Sequence, residues 1–177
     1  MRNILICSED YIKTNSGLNE NTWGKTLLPA IREAQDIELQ TIIGEGLYNA
    51  ILDKISTNTL VDAYKTLVDD YCRPYVMYMT IAGLVDGLAN KMGNIGVVRT
   101  RDEYVDNLTD DERDRVHQSY VYKADFYGRR LQEFLINNRQ EFPELDECAC
   151  EHIKAHLNSA ASTGLFLGGI RGKRLPL

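Results

Sequence analysis

This sequence has little of what fastens small or membrane-bound proteins together. Four cysteines are scattered through 177 residues, too few and too irregular for a disulfide framework, so free thiols are expected. Four prolines and thirteen glycines form no repeat or low-complexity block, which excludes collagen-like and linker-like chains. No apolar run reaches the roughly 18 residues of a membrane span, and Ile4-Leu5-Ile6-Cys7 falls short of the apolar core of a secretory leader. The expectation is a chain that stays in the cytoplasm where it is made and has no membrane partner. Histidine is scarce, with three residues, and no Gly-x-Ser-x-Gly elbow occurs.

What is present fits one globular domain. Hydrophobic residues make up 44% and charged residues 26%, and the length suffices for a core without metal or disulfide support. Twenty basic against 26 acidic residues leave a net charge of −6, which disfavours non-specific attraction to phosphate backbones. The charge is uneven. Between Gly164 and Leu177 stand Arg171, Lys173 and Arg174 and no acidic residue, so an acidic body carries a basic tail.

The pattern along the chain is helical. Ser8 can cap a short helix opened by Glu9 and Asp10 and ended by Asn15-Ser16-Gly17, with Cys7 and Ile12 as a hydrophobic staple. Residues through Gly24 read as a loop, and the next helix is expected to hold Pro29 in its first turn. Gly44 is expected as a left-handed stop, after which Leu47, Ile51 and Ile55 continue one stripe and complete a helical hairpin. Leu60, Ala63, Tyr64, Leu67, Val68 and Tyr71 form another amphipathic face, which Pro74 should kink or terminate. From Tyr75 to Val85 only Thr80 and Gly83 are neither apolar nor aromatic, so this is expected to be a central helix buried on nearly all sides. Its small residues, among them Gly83, would admit close neighbours.

Val97-Val98-Arg99-Thr100 has the β-branched character of a strand too short to stand without a partner. Thr109-Asp110-Asp111-Glu112 fits a capping box. From there Val116, Tyr120, Ala124, Tyr127, Leu131 and Leu135 hold one stripe over about 42 Å of helix, ended by Phe142-Pro143-Glu144. A weaker helix is expected from about Asp146 to Ala161. The fold class is therefore mainly α: a helical bundle with a long helix in its C-terminal half, one or two short strands and an extended C-terminal arm. Residues 1–161 form the helical domain and 162–177 the glycine-rich basic arm.

Motifs that carry chemistry are few. Gly168-Gly169-Ile170-Arg171-Gly172-Lys173 glances at a phosphate-binding loop, but Leu167 and Arg174 stand where glycine and a hydroxyl residue are required. Cys148, His152 and His156 would share one face of a helix, with Cys150 nearby, and zinc accepts these ligand types. Cys-x-Cys is not the usual knuckle spacing, however, and the favoured reading is that no metal is bound. His117 is expected on a solvated face, and the carboxylates cluster at helix starts, where the dipole accounts for them. Ten tyrosines against four phenylalanines and one tryptophan suit core packing and also hint at subunit contacts, where a ring with one wet end is useful.

Several segments in order carry a resemblance. Pro29-Ala-Ile-Arg-Glu-Ala-Gln35, Leu39-Gln-Thr-Ile-Ile-Gly44 and Leu47-Tyr48 are followed by Tyr71-Cys-Arg-Pro74-Tyr75 at the start of an apolar helix. Asn94-Ile-Gly96-Val-Val98, Ala124-Asp-Phe-Tyr127-Gly-Arg-Arg-Leu131 and Phe142-Pro143-Glu144 come after. Together they resemble the head-to-tail connector proteins of tailed bacteriophages, the neck adaptors found in phages of Bacteroidetes hosts including crAss-like phages. The resemblance spans roughly residues 8 to 145 and does not include the Cys/His segment.

It implies a non-enzymatic virion protein without a cofactor. Such a subunit forms a homo-oligomeric ring, typically of twelve, in the virion neck, where it meets the portal protein on one side and tail or further neck proteins on the other. DNA passes through without sequence-specific binding, and the acidic body suits that passage. Val97 and Val98 would complete their pairing with a neighbouring subunit. The arm residues Leu165, Phe166, Leu167, Ile170, Arg171, Lys173, Arg174 and Leu175 would dock on the portal or an adjacent subunit. Burying the apolar members does not offset the entropy of fixing the arm's backbone, whereas an extended arm reaches about 45 Å. The alternative is a cytosolic α-helical interaction or regulatory protein, zinc-stabilised through the Cys/His cluster.

Overall fold

Ser8 opens the first helix, α1 (Glu9–Asn15), by accepting a hydrogen bond from the Tyr11 N–H at 3.1 Å, with Glu9 and Asp10 in the first turn, where carboxylates complement the helix dipole. The computed structural model describes residues 4–18, 24–93, 96–99 and 109–145, together with Ile153, Ala155 and Leu157. The fold is mainly α, as the apolar periodicity requires.

The second helical rod runs from Gly24 to Ile43. It consists of α2 (Gly24–Glu33), a π-helical segment (Ala34–Leu39) and α3 (Gln40–Ile43). Pro29 sits well inside α2 rather than in its first turn. The helix begins earlier because Leu27 is fully buried together with Ile31, and that burial outweighs the donor Pro29 withholds from the exposed Lys25. Gly44 then breaks the rod at φ +80°, ψ 161°. This is not the left-handed helical stop expected but an extended positive-φ conformation that is essentially glycine's own. α4 (Glu45–Ser56) follows and buries Leu47, Tyr48, Ile51 and Leu52.

A third rod is built the same way, from α5 (Asp62–Thr66), a second π-helical segment (Leu67–Cys72) and α6 (Arg73–Ala89). Pro74 neither ends nor interrupts it. The π segment lies immediately before the proline, and the Arg73 N–H reaches back five residues to the Val68 carbonyl. That wider turn makes room for a ring that would otherwise press on the carbonyl four residues back. Among the described side chains of α6, Val76, Met77, Thr80, Ile81, Ala82 and Leu84 are buried. Gly83, by contrast, faces open space, and the close approach expected of it is made by Gly128 of the last helix. The buried Thr80 hydroxyl donates to the Val76 carbonyl at 2.7 Å.

α6 runs into β1 (Asn90–Gly93), which pairs antiparallel with β2 (Gly96–Arg99), Lys91 opposite Val98 and Met92 opposite Val97. α7 (Asp110–Asn137) is the longest element, with 28 residues, and packs along α6. Its interior stripe is Ala124, Leu131 and Leu135, all fully buried, while Val116 at the outer end is 36% exposed. Two 3₁₀ turns, Arg139–Glu141 and Pro143–Leu145, close the body around the buried Phe142.

The capping box of α7 is complete. The Thr109 hydroxyl accepts from the Glu112 N–H, while the Glu112 carboxylate accepts from the Thr109 N–H at 2.9 Å and from its hydroxyl at 2.8 Å. Those two hydrogen bonds, the backbone one foremost, hold the Glu112 carboxyl below its ordinary range. A carboxyl lowered on folding adds stability above its unfolded pKa and loses it as pH falls through the folded value. Thr109→Ala should therefore cost about 1 kcal/mol at neutral pH, and acid titration of its thermal unfolding should show a shallower loss than that of the wild-type chain.

The N-terminal stretch before α1 is tied down by one buried amide. Gln35, 2% exposed, accepts from the Ile6 N–H at 3.1 Å and donates to the Ile4 carbonyl at 3.1 Å, so a side chain of the first π segment replaces a neighbouring strand. Arg73 adds a bond from Nε to the Ile6 carbonyl at 3.1 Å and an ion pair with Asp69 one turn back. The first π segment and the start of α6 thus present polar groups to the same short stretch of backbone.

Candidate interaction surfaces

Three surfaces bear on the residues singled out in the sequence. The first is the corner between α3 and α4. There the Glu45 N–H donates to the Ile153 carbonyl at 2.9 Å, giving the start of α4 an acceptor from the C-terminal part of the chain. A Cβ on Gly44 would lie 2.8 Å from the Ala155 nitrogen, so glycine is needed for its φ and for this close approach alike. Leu157 packs on the hydrophobic core. Ile153, Ala155 and Leu157 are not helical, contrary to the helix expected over 146–161.

The four residues Cys148, Cys150, His152 and His156 lie outside the described residues. So do the arm residues Leu165, Phe166, Leu167, Ile170, Arg171, Lys173, Arg174 and Leu175. Among the described residues no three His, Cys, Asp or Glu side chains are placed to hold a metal ion. Cys7 and Cys72 are fully buried, and burial pushes both thiols up to about 12 against the opposing pull of Arg73, which leaves them unreactive at neutral pH. His117 is not on a purely solvated face, because its Nδ1 lies 3.2 Å from the Ala82 carbonyl of the adjacent helix.

The second surface is the β1–β2 ribbon. Val97 and Val98 are not orphaned, since their ladder partners are Met92 and Lys91 of the same chain. A two-stranded ribbon still has an outer edge on each strand, and among the described residues no third strand pairs with it.

The third surface is the flank where α7 meets α6 and the second π segment. Lys123 holds its ammonium over the rings of Tyr120 at 4.7 Å and Tyr78 at 5.9 Å. Arg130 lies over Tyr71 at 5.5 Å, Tyr127 at 5.8 Å and Phe126 at 5.9 Å. Tyr78 stacks on Tyr127 with centroids 5.4 Å apart. Each cation is exposed and rests on an aromatic face, an arrangement that fixes a long side chain at modest entropic cost. Phe126 itself is 49% exposed.

The opposite flank of α7 has the other sign. Asp125 stands with Glu38 of the first π segment close enough that, after burial, their charges hold the Tyr75 hydroxyl above the usual phenol range. Beside them Ile37 is 57% exposed. Gly128 lets α7 close on Tyr75 and Ile42 between the flanks, with no room to spare for a Cβ. The tyrosine stripe hinted at contacts, but the sorting of charge onto two flanks was missed. It is written in the spacing Tyr120, Lys123, Tyr127, Arg130, where cations and rings alternate on one side of the helix.

The fold and these surfaces define a mainly α protein. None of its described helices is long and apolar enough to cross a membrane. The chain belongs to a family described as "Family of unknown function (DUF6712)", which matches residues 39–154. That span runs from the first π segment through the Gly44 corner to the Ile153 segment docked on it. No curated protein and no solved structure matches the chain.

Proposed function

We propose that this protein is a structural virion subunit of the phage neck, forming a ring, typically of twelve in the neck adaptors it resembles, that joins the portal to the tail and lets DNA pass. The observation that carries the reading is the anchored exit of the C-terminal segment. With Ile153 bonded to the start of α4 and Leu157 seated on the core, the sequence that follows starts from a fixed point on the body. It supplies apolar Leu165, Phe166, Leu167, Ile170 and Leu175 with basic Arg171, Lys173 and Arg174, and no acidic residue. Such a segment suits an acidic, partly apolar receptor surface on the portal or a neighbouring subunit. The net charge of −6 suits a channel wall, since like charge prevents DNA from adsorbing. The outer edges of the β1–β2 ribbon offer a further place for a neighbour to add a strand through Val97 and Val98. The ordered series of segments resembling the neck adaptors points the same way.

The test is truncation. The chain ending at Thr163 should fold with an unchanged circular dichroism spectrum, yet fail to enter particles and fail to form rings when mixed with its portal protein. Normal incorporation of the truncated chain refutes the role given to the arm. A full-length chain that never binds the portal, and instead forms a small oligomer with a soluble partner, refutes the connector reading as a whole.

A further inference from the structure

The two flanks of α7 are complementary, and we infer that they meet head to tail: the Lys123–Phe126–Arg130 flank of one subunit docks on the Ile37–Glu38–Asp125 flank of a second copy. This deepens the ring reading and rests on it for its place in the virion, but the contact itself is argued from the surface. Lys123 and Asp125 lie two residues apart, so they point about 200° from each other around the helix at nearly the same height. One flank carries two exposed cations, each steadied by aromatic rings. The other carries two exposed carboxylates, Glu38 and Asp125. Each flank also offers an exposed apolar side chain, Phe126 at 49% and Ile37 at 57%, so an apolar contact would sit among two ion pairs.

Arg129, one turn beyond Asp125 on α7, borders the acidic flank without reversing this pairing. Arg129 turns its Nε back to the Asp125 carbonyl of its own helix. A surface that meets a different surface on an identical copy generates a ring when the rotation closes. Opposite flanks of one rod at one height place successive copies side by side, as a ring requires. A nucleic-acid reading of the aromatic and cationic flank is weaker, because two cations on a chain of net charge −6 neutralise few phosphates.

Disulfide trapping tests the contact. In the full chain carrying Cys148→Ser and Cys150→Ser, with Cys7 and Cys72 left in the core, Ile37→Cys and Phe126→Cys are introduced singly and together. Both positions are exposed, so the variants should fold, and a circular dichroism melt verifies it. On mild oxidation the double variant should give a covalent ladder of trimers and higher species, and neither single variant should give dimers. Adding Lys123→Glu and Arg130→Glu should lower the yield at least tenfold. Mixing a chain with Phe126→Cys, Lys123→Glu and Arg130→Glu with a chain bearing Ile37→Cys, Glu38→Lys and Asp125→Lys should give cross-linked heterodimers, which neither chain gives when mixed with an unreversed partner.

Absence of a ladder overturns the inference, as do dimers from either single variant, which would mean a two-fold contact. Binding of duplex DNA lost with Lys123→Glu, without any ladder, assigns the flank to nucleic acid and also overturns it. Rings with the portal but no ladder sink this contact alone. A ladder without portal-bound rings sinks the connector reading and leaves the contact standing.

Discussion

Replacing Gly44 by alanine should destabilise the protein by about 2–4 kcal/mol, lowering the melting temperature by roughly 4–16 °C. Two causes act together. At φ +80° and ψ 161° an L-residue is strained, because its Cβ meets its own backbone in that region. The added carbon would also stand 2.8 Å from the Ala155 nitrogen and 3.3 Å from its Cα, where backbone rather than a flexible side-chain end must move. The separable part is the second. In a chain ending at His152 the neighbour is gone and only the strain remains, so the same substitution should cost measurably less there. If Gly44→Ala costs the same in both backgrounds, the docking of residues 153–157 at this corner contributes nothing.

The consequence reaches the proposed function. Release of Ile153 frees the Glu45 N–H it covers and moves the point from which the basic tail departs. Limited proteolysis should then cut Gly44→Ala between residues 153 and 157 faster than it cuts the wild-type chain. A reading in which the tail docks on a partner further predicts that Gly44→Ala weakens incorporation into particles even below its melting temperature.

How much of this was legible in the sequence depends on how local the deciding forces are. Ser8 and the Thr109 capping box act within three residues, and both were readable. The stripe of α7 was readable too, because Ala124, Leu131 and Leu135 repeat over many turns. The π segments were not, since nothing in Ala34–Leu39 or Leu67–Cys72 marks a wider turn. Pro74 reads as a kink or a stop, whereas packing along α7 and α2 keeps the rod continuous.

Gln35 was equally hidden. A glutamine on an amphipathic helix reads as surface, and only the backbone groups of Ile4 and Ile6 that it pairs make it a core residue. At the candidate surfaces the sequence showed which residues were unusual but not how they divide. Tyrosines on a helical stripe look alike whether buried, as Tyr75 is, or half-buried beneath a cation, as Tyr71 and Tyr78 are. The sorting needs a neighbouring helix, and the periodicity of one helix does not name its neighbour.

Phe142→Ala should be the most damaging single truncation at the C-terminal end of the body, at about 3–5 kcal/mol. Phe142 is fully buried, lies edge-on to Tyr64 with centroids 5.1 Å apart and packs at 6.0 Å against Phe134, which in turn stacks on Tyr71 at 4.3 Å. Removing the ring opens a cavity between two aromatics that cannot collapse easily, because Tyr64 is also held from outside. Its hydroxyl donates to the Glu144 carboxylate at 2.7 Å, and Lys54 sits over its face at 4.2 Å. Phe142→Leu keeps most of the volume and should cost about 1–2 kcal/mol. The ring also sets the direction in which the chain leaves α7, through the turn Pro143–Leu145 packed on α4, toward the corner where Ile153 docks. Hydrogen exchange can tell the two lesions apart. Gly44→Ala should speed exchange of the Glu45 amide and leave the Phe142 amide, bonded to the Arg139 carbonyl, protected. Phe142→Ala should release both, because the docked segment follows the turn that the ring holds. Release of the amide at 142 with continued protection at Glu45 in the Phe142→Ala chain would show the two ends to be independent.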